Sequence, residues 1–387
     1  MTTPLQPSRE PDSVADSLAT SLLAAALLLP GVHAQAQTPP EHGSVSLRYL
    51  DYADRQPGFD RVRVHAPSIA VVAPIAGDWS VEGTLTADDV SGATPRYHTA
   101  VSGASRMSDY RKAGDASVTR YFRRGTLTAG AAYSTEHDYV SRALSLNGTV
   151  SSEDNNTTWA FGLAGSRDRI DPVNRIVERE RKRTVSVLAG VTRVLTPNDI
   201  GQLTLTRTNG SGYYSDPYKL FDNRPRSRRQ NTVLLRWNHF LDGTGGTSRL
   251  SYRYYSDSFD IRAHTLGAEY VQPIGSDWTV VPELRLYTQR AASFYYDPVY
   301  DSVLGEPLPP GFAANPGRFS SADQRLAGFG AVTVGLKVAR RIGKLWTVDL
   351  KVEAYEQRGA WRVFGHGSPG LAPYRARTIQ LGVTRQW

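Results

Sequence analysis

The chain contains no cysteine. Disulfide scaffolds, thiolate zinc sites, CxxC redox centres, cysteine nucleophiles and cysteine-linked haem are excluded together. Lysine is scarce too: six of the 45 basic residues are Lys and the rest are Arg. Hydrophobic residues make up 40% of the chain, below the ~45–50% of ordinary globular proteins. Long apolar runs are missing except at the start, which excludes a protein built on transmembrane helices. Gly and Pro, 34 and 23 in 387 residues, are too few for a low-complexity chain, which needs roughly 25–30% combined. The sequence should therefore fold, but without a large apolar core.

The one apolar run, Leu18 to Leu29, has 12 residues and is closed by Pro30. A membrane helix needs about 20. Small residues follow at Ala34 and Ala36, so residues 1–36 read as an export signal, although acidic residues outweigh Arg9 ahead of the run. Removing them takes away one Arg and three acids and leaves a net charge of about +10, against +8 for the whole chain. The basic residues are interspersed with acids and aromatics, and no nucleic-acid-reading motif is present; no nucleic-acid partner is expected.

Residues 37–387 carry period-two alternation in place of helical periodicity. Val332, Val334, Leu336 and Val338 alternate with Thr333, Gly335 and Lys337; Val348, Leu350 and Val352 alternate with Asp349, Lys351 and Glu353. Successive strand residues face opposite sides, so one face is apolar and the other small, polar or charged. Sixteen strands are expected, near 43–53, 60–73, 78–88, 113–123, 125–136, 138–150, 156–168, 182–196, 199–212, 228–241, 246–257, 260–273, 277–290, 325–341, 345–358 and 376–387.

Connections after even strands are tight, whereas several after odd strands are long: 89–112, 169–181, 213–227, 291–324 and 359–375. Two odd connections, at 135–137 and 258–259, are short. Trp79, Trp278 and Trp346 each follow a tight turn; Tyr213, Tyr214, Tyr218, Tyr254, Tyr255, Tyr295, Tyr296 and Tyr300 cluster at the other end. Short turns on one side, long loops on the other and two aromatic girdles characterise a transmembrane antiparallel up-and-down β-barrel of the bacterial outer membrane. Trp387, ending an alternating last strand, resembles the signal by which barrel-insertion machinery recognises such proteins. Arg385 departs from the apolar residue usual there. In hydrocarbon every backbone polar group must be paired, so the last strand should close on the first, near Ser44 to Tyr52.

The chain resembles the bacterial domain-of-unknown-function 3570 family. The resemblance rests on Ala87 to Pro95 (ADDVSGATP), Tyr133 to Ser141 (YSTEHDYVS) and above all Ser251 to Asp297. It departs at Phe259, where the family more often has Trp. The resemblance implies an exported β-barrel with no assigned catalytic residues. It also implies an envelope neighbourhood containing a small lipoprotein, a thioredoxin-like protein and a flavin-attaching transferase, hence a lipoprotein or periplasmic redox partner.

Glu269, Glu283, Arg285, Asp349, Lys351 and Glu353 fall on the polar face of neighbouring strands and form a candidate charge ladder in the lumen. Two basic segments, Arg175 to Arg183 and Arg224 to Arg229, offer Arg179, Arg181, Lys182, Arg183, Arg224, Arg226, Arg228 and Arg229 to lipopolysaccharide phosphates or an anionic solute. The expected role is a channel, or the membrane sleeve of an envelope complex, with no cofactor. Two alternatives are a hydrolase with a rim site at His137 (beside Glu136 and Asp138) or His264 (with Asp257 and Asp260), and a soluble secreted β-protein.

Overall fold

The structure, a computed structural model, describes residues 38–93, 106–219, 221–298, 308 and 311–387. The expected signal segment 1–36 lies outside the described residues, as do Thr94 and Pro95 of the first family motif and Tyr300 of the expected girdle.

Sixteen strands form among the described residues: β1 (Ser44–Gln56), β2 (Phe59–Ile75), β3 (Trp79–Ala93), β4 (Arg106–Phe122), β5 (Gly125–Thr135), β6 (Tyr139–Ser151), β7 (Thr157–Ile170), β8 (Glu180–Thr196), β9 (Asp199–Gly212), β10 (Ser227–Leu241), β11 (Gly246–Asp257), β12 (Arg262–Ile274), β13 (Trp278–Gln289), β14 (Phe329–Ile342), β15 (Trp346–Arg358) and β16 (Tyr374–Gln386). Each pairs antiparallel with its sequence neighbours, and β16 pairs with β1, closing the barrel. The closing seam runs from Ser44 opposite Gln386 to Arg55 opposite Arg375. Beyond it the Trp387 N–H donates to the Gly43 carbonyl at 3.1 Å. The indole lies so close over Gly43 that a Cβ there would stand 2.3 Å from a ring atom.

Every connection after an even strand is short, from 123–124 and 197–198 up to 152–156. Gly275 and Gly343 open two of these turns with φ of 60° and 63°, a left-handed backbone that glycine adopts without steric cost. The long connections all leave the opposite end: 94–105, 171–179, 213–226, 290–328 and 359–373. The β1–β2 link, 57–58, is also tight, a third short connection at the loop end beside 136–138 and 258–261. The first long connection is shorter than the sequence suggests, because β3 runs on to Ala93 and β4 starts at Arg106.

The apolar residues face outward. Leu144, Phe161, Leu163, Val187 and Val334 are 70%, 56%, 52%, 53% and 56% exposed. An outward belt of this kind has no core to enter and needs an apolar surrounding. Side chains bury each other in two small clusters at the loop end. One joins Phe259, Ile261, Ala292 and Leu326; the other joins Ala327, Phe329, Ala331 and Leu371.

Candidate functional site: the lumen and its loop-end lid

The inner face has three levels. Towards the turn end, β11 to β16 carry a ladder of opposite charges. Two directly opposed pairs are like-charged: Glu269 faces Glu283, and Lys337 faces Lys351. Like charges so placed repel, and ion pairs to neighbouring opposite charges relieve this. Lys351 Nζ reaches Glu283 at 2.7 Å and Glu353 at 3.3 Å, Lys337 reaches Asp349 at 3.7 Å, Arg285 reaches Glu353 at 3.5 Å, and Arg249 stands 4.0 Å from Glu269.

The Lys351–Glu283 contact joins β15 to β13, two strand spacings apart, or about 9–10 Å. It crosses β14 at Gly335, which lies in register between Glu283 and Glu353. A Cβ at Gly335 would already sit 3.1 Å from Glu353 Cγ. We expect Gly335→Val to separate Lys351 from Glu283 and to alter single-channel noise, with less than about 1 kcal/mol lost because exposed ion pairs are individually weak. Urea unfolding and bilayer recordings check both. A cavity of ≈ 290 Å³ lies within this ladder, bounded also by Arg48, Val271, Val281 and Gln380.

The facing wall is different. On β4 to β9 many inner positions are small and hydroxyl-bearing, and several are buried: Thr119, Thr126, Thr128, Thr149, Ser151 and Ser186. They bond across strands, Thr119 to Thr128 at 2.9 Å and Thr126 to Thr149 at 2.8 Å. Charge is thus concentrated on one side of the lumen's turn half.

Nearer the loop end, four aspartates on the inner wall, each with its side chain shielded from solvent, hold a cation. Asp54 binds Arg61 at 2.6 Å, Asp88 binds Arg111, Asp168 binds Lys182 at 3.2 Å, and Asp257 accepts from Arg228 Nε at 2.8 Å. Arg61 is placed by a β-bulge: the β1–β2 register shifts between Asp54 and Arg55, and Arg61 is the extra residue. Such a bulge re-aims one side chain, and here it lays the guanidinium over the Tyr374 ring, 5.1 Å from its centroid.

The third level is a lid of inward-folded loops. The 213–226 connection pairs with the β13–β14 connection at Asn223 and Ser320, and Tyr295 bridges Ser321. Tyr295 packs on both apolar clusters, against which Tyr255, Tyr287 and Tyr355 of the inner wall also pack. At the ionic centre Asp323, fully buried, receives Lys219 at 3.1 Å, Arg224 at 2.6 Å and Arg325. Lys219 and Arg325 also hold Asp216, each at 3.1 Å, and Arg224 holds Asp222 at 2.7 Å. Burial alone would push the Asp323 carboxyl up. Arg325, Lys219 and Arg224 override that and hold it well below the usual carboxylate range. Burial likewise pushes the Tyr214 hydroxyl up to about 12.

The model of a family described as "Protein of unknown function (DUF3570)" matches residues 98–373. The chain belongs to this family. No curated protein matches this DUF3570 member. Among solved structures it resembles a bacterial polysaccharide outer membrane secretin, with TM-score 0.52 at 10% identity, over 91% of this chain and 100% of that one. It also resembles the siderophore receptor PirA from Pseudomonas aeruginosa, with TM-score 0.47 at 8% identity, over 89% of this chain and 62% of the receptor. OccK2 (OpdF) of the same organism gives TM-score 0.44 at 9% identity, over 90% and 99%. This chain therefore spans less than two thirds of the PirA receptor. At these identities the likeness is one of fold, an outer-membrane-type β-barrel.

The DUF3570 barrel distributes the sequence-read residues unevenly. Glu269, Glu283, Arg285, Asp349, Lys351 and Glu353 all share the inner wall and contact one another as described. Trp79, Trp278 and Trp346 stand at the turn end, each stacked by the arginine directly across from it: Arg120 at 4.9 Å, Arg340 at 5.0 Å and Arg385 at 5.5 Å. The departure at Arg385 thus has a physical reason, since its guanidinium covers Trp346. Tyr254 faces outward against His264. Tyr255 does not belong to the girdle: it takes the opposite face of β11, donates to Asp257 at 2.9 Å inside the lumen, and packs under the lid.

The basic segments also divide. Arg224 is consumed by the lid, Arg228 by Asp257, and Lys182 by Asp168, all pointing inward where outer-loop anion contact was expected. Arg226 is tied to Glu180 by two contacts of 2.9 and 2.6 Å. Arg179, Arg181, Arg183 and Arg229 remain exposed. The residues considered for a rim hydrolase around His264 do not converge. His264 bonds Tyr252 on the outward face at 2.7 Å, Asp257 lies in the lumen, and Asp260 pairs with Arg290 at 2.8 Å. Among the described residues no group of three or more His, Asp or Glu is arranged to hold a metal ion.

Proposed function

We propose that the protein resides in the bacterial outer membrane and acts as a channel for small hydrophilic solutes, its mouth narrowed by the inward-folded lid. The observation that carries this reading is the charge ladder around the ≈ 290 Å³ cavity. A ladder of ion pairs at 2.7–4.0 Å, several of them partly exposed, suits a water-filled passage and not a packed core. The outward apolar belt, bounded by Trp at the turn end, supports membrane residence.

Two cations on the inner wall, Arg48 and Arg253, have no carboxylate partner among the described residues; Arg253 bonds only Thr265, at 3.3 Å. Arg48 borders the cavity, so these two bias the ladder side of the lumen towards anions, while Glu82 and Asp115 on the facing wall have no cationic partner among the described residues. In planar bilayers under a salt gradient, wild type should give an anion-leaning reversal potential, and Arg48→Glu/Arg253→Glu should move it towards cations. Absence of conductance from refolded protein at every voltage, with the lid both intact and destabilised, would overturn the channel reading.

A further inference from the structure

The outward face holds a second charged surface. On the loop half of β6 to β8, Arg142 lies opposite Arg167, and Arg167 opposite Arg183, forming one row across three strands. One pleat nearer the loops, Arg169 lies opposite Arg181. Neighbouring strands are about 4.8 Å apart, so five guanidinium stems emerge from a patch roughly 10 Å wide. Arg207 and Arg229 extend it onto β9 and β10, where they face Asn231 and Asn209. All seven are exposed.

Among the described residues only one acid neutralises any of this patch. The outward positions on the loop half of β6 to β10 include no Asp or Glu. Only Arg169 has an acidic partner, Asp171 in the adjoining loop, at 2.5 Å. Glu180 is engaged by Arg226. Elsewhere around the same rim some outward arginines are paired, Arg63 with Asp51 at 3.7 Å and Arg375 with Glu356 at 3.0 Å, and ones unpaired among the described residues, such as Arg262 and Arg377, stand singly. Arg142 lies over the Tyr133 ring, 5.9 Å from its centroid. Directly below the patch, towards the turns, the same strands present Leu144, Leu163, Val185 and Leu205 to the surroundings.

A crowded set of unpaired guanidiniums repels itself, and an external anion with several charges relieves that repulsion. The apolar strip beneath requires the anion to be the head of an amphiphile whose chains lie on the barrel wall. We propose that this arginine patch is a binding site for the phosphorylated headgroup of lipopolysaccharide in the outer leaflet. The site rests on the outer-membrane placement argued above. It is separate from the lumen, and all its residues point away from the ladder and the lid.

The test uses full-length mature protein in detergent, wild type and Arg142→Gln/Arg167→Gln/Arg183→Gln, with bisphosphorylated lipid A as probe. Native mass spectrometry and lipid titration should give at least tenfold weaker binding to the variant, and dephosphorylated lipid A should bind both proteins equally weakly. Equal binding of bisphosphorylated lipid A to wild type and variant would overturn the proposal. So would displacement of the lipid by millimolar inorganic phosphate, which would make the patch a site for free anions. Single-channel conductance of the variant should match wild type. Absence of conductance from wild type, with the difference in lipid A binding between wild type and variant still present, would count against the channel reading alone.

Discussion

Replacing Asp323 by alanine is expected to free the lid from the mouth of the barrel while the sixteen strands stay closed. Asp323 is the one carboxylate shared by Lys219, Arg224 and Arg325, and it is wholly buried among them. Without it three cations in the lid are left with Asp216 and Asp222 alone. Removing one member of a buried ionic cluster typically costs ~3–5 kcal/mol, because the remaining charges stay desolvated and unpaired. The barrel ladders do not pass through this centre, so the loss falls on the loops. Protease cleavage within 311–328 and a higher single-channel current are the expected readouts. Asp323→Asn keeps the shape without the charge and should behave similarly. An unchanged proteolytic pattern in both variants would sink the idea.

The same network sets an acid limit. A carboxylate whose pKa is depressed by folding contributes stability that is fully present above its unfolded value, about 4, and is lost as pH falls through the folded value. Asp323 and Asp216 are both depressed. The lid should therefore hold from neutral pH down to about 4 and loosen below it, with current rising as it does.

The second large effect concerns sidedness. Val334 is 56% exposed at mid-height on the outward face, between Leu284 and Ala354 in register. Val334→Arg should destabilise the membrane-inserted protein by ~2–4 kcal/mol, the usual cost of a cation at the bilayer midplane on the outside of a barrel. Lys337→Arg, on the inner face of the same strand, should change stability by less than about 0.5 kcal/mol. Equilibrium refolding into lipid vesicles measures both. Equal effects would mean that the two faces of β14 have been assigned the wrong surroundings.

Strands were legible in the sequence because a barrel wall alternates strictly, and β14 and β15 differ little from the segments that alternation marks out. The ladder was legible for the same reason: Glu283, Lys351 and Glu353 share a parity. Alternation also foretells that Tyr254 and Tyr255 cannot both belong to a girdle, and that Arg181 and Arg183 point away from Lys182. Reading the basic segment as one loop concealed this. It also concealed Arg142, Arg167 and Arg207, which lie in separate strands and meet only through register. Arg61 escaped for another reason: the bulge beside Asp54 breaks the parity that would have placed it. The lid was illegible because its centre joins Lys219 and Arg224 to Asp323, and Arg325 to Asp216, across about a hundred residues of intervening sequence, and no local pattern records that encounter.

The three Trp–Arg pairs at the turn end carry a consequence for how the molecule is held. Arg120, Arg340 and Arg385 lie over indole rings and draw part of their stabilisation from them. Arg142, Arg167 and Arg183, at the opposite rim, lack any such cover beyond one tyrosine. The two ends thus make unequal demands on their surroundings: one is content with a weakly charged leaflet, the other needs a densely anionic one. In a bilayer whose leaflets differ in charge, only one orientation meets both demands, so the barrel wall itself carries a compass that does not depend on the loops.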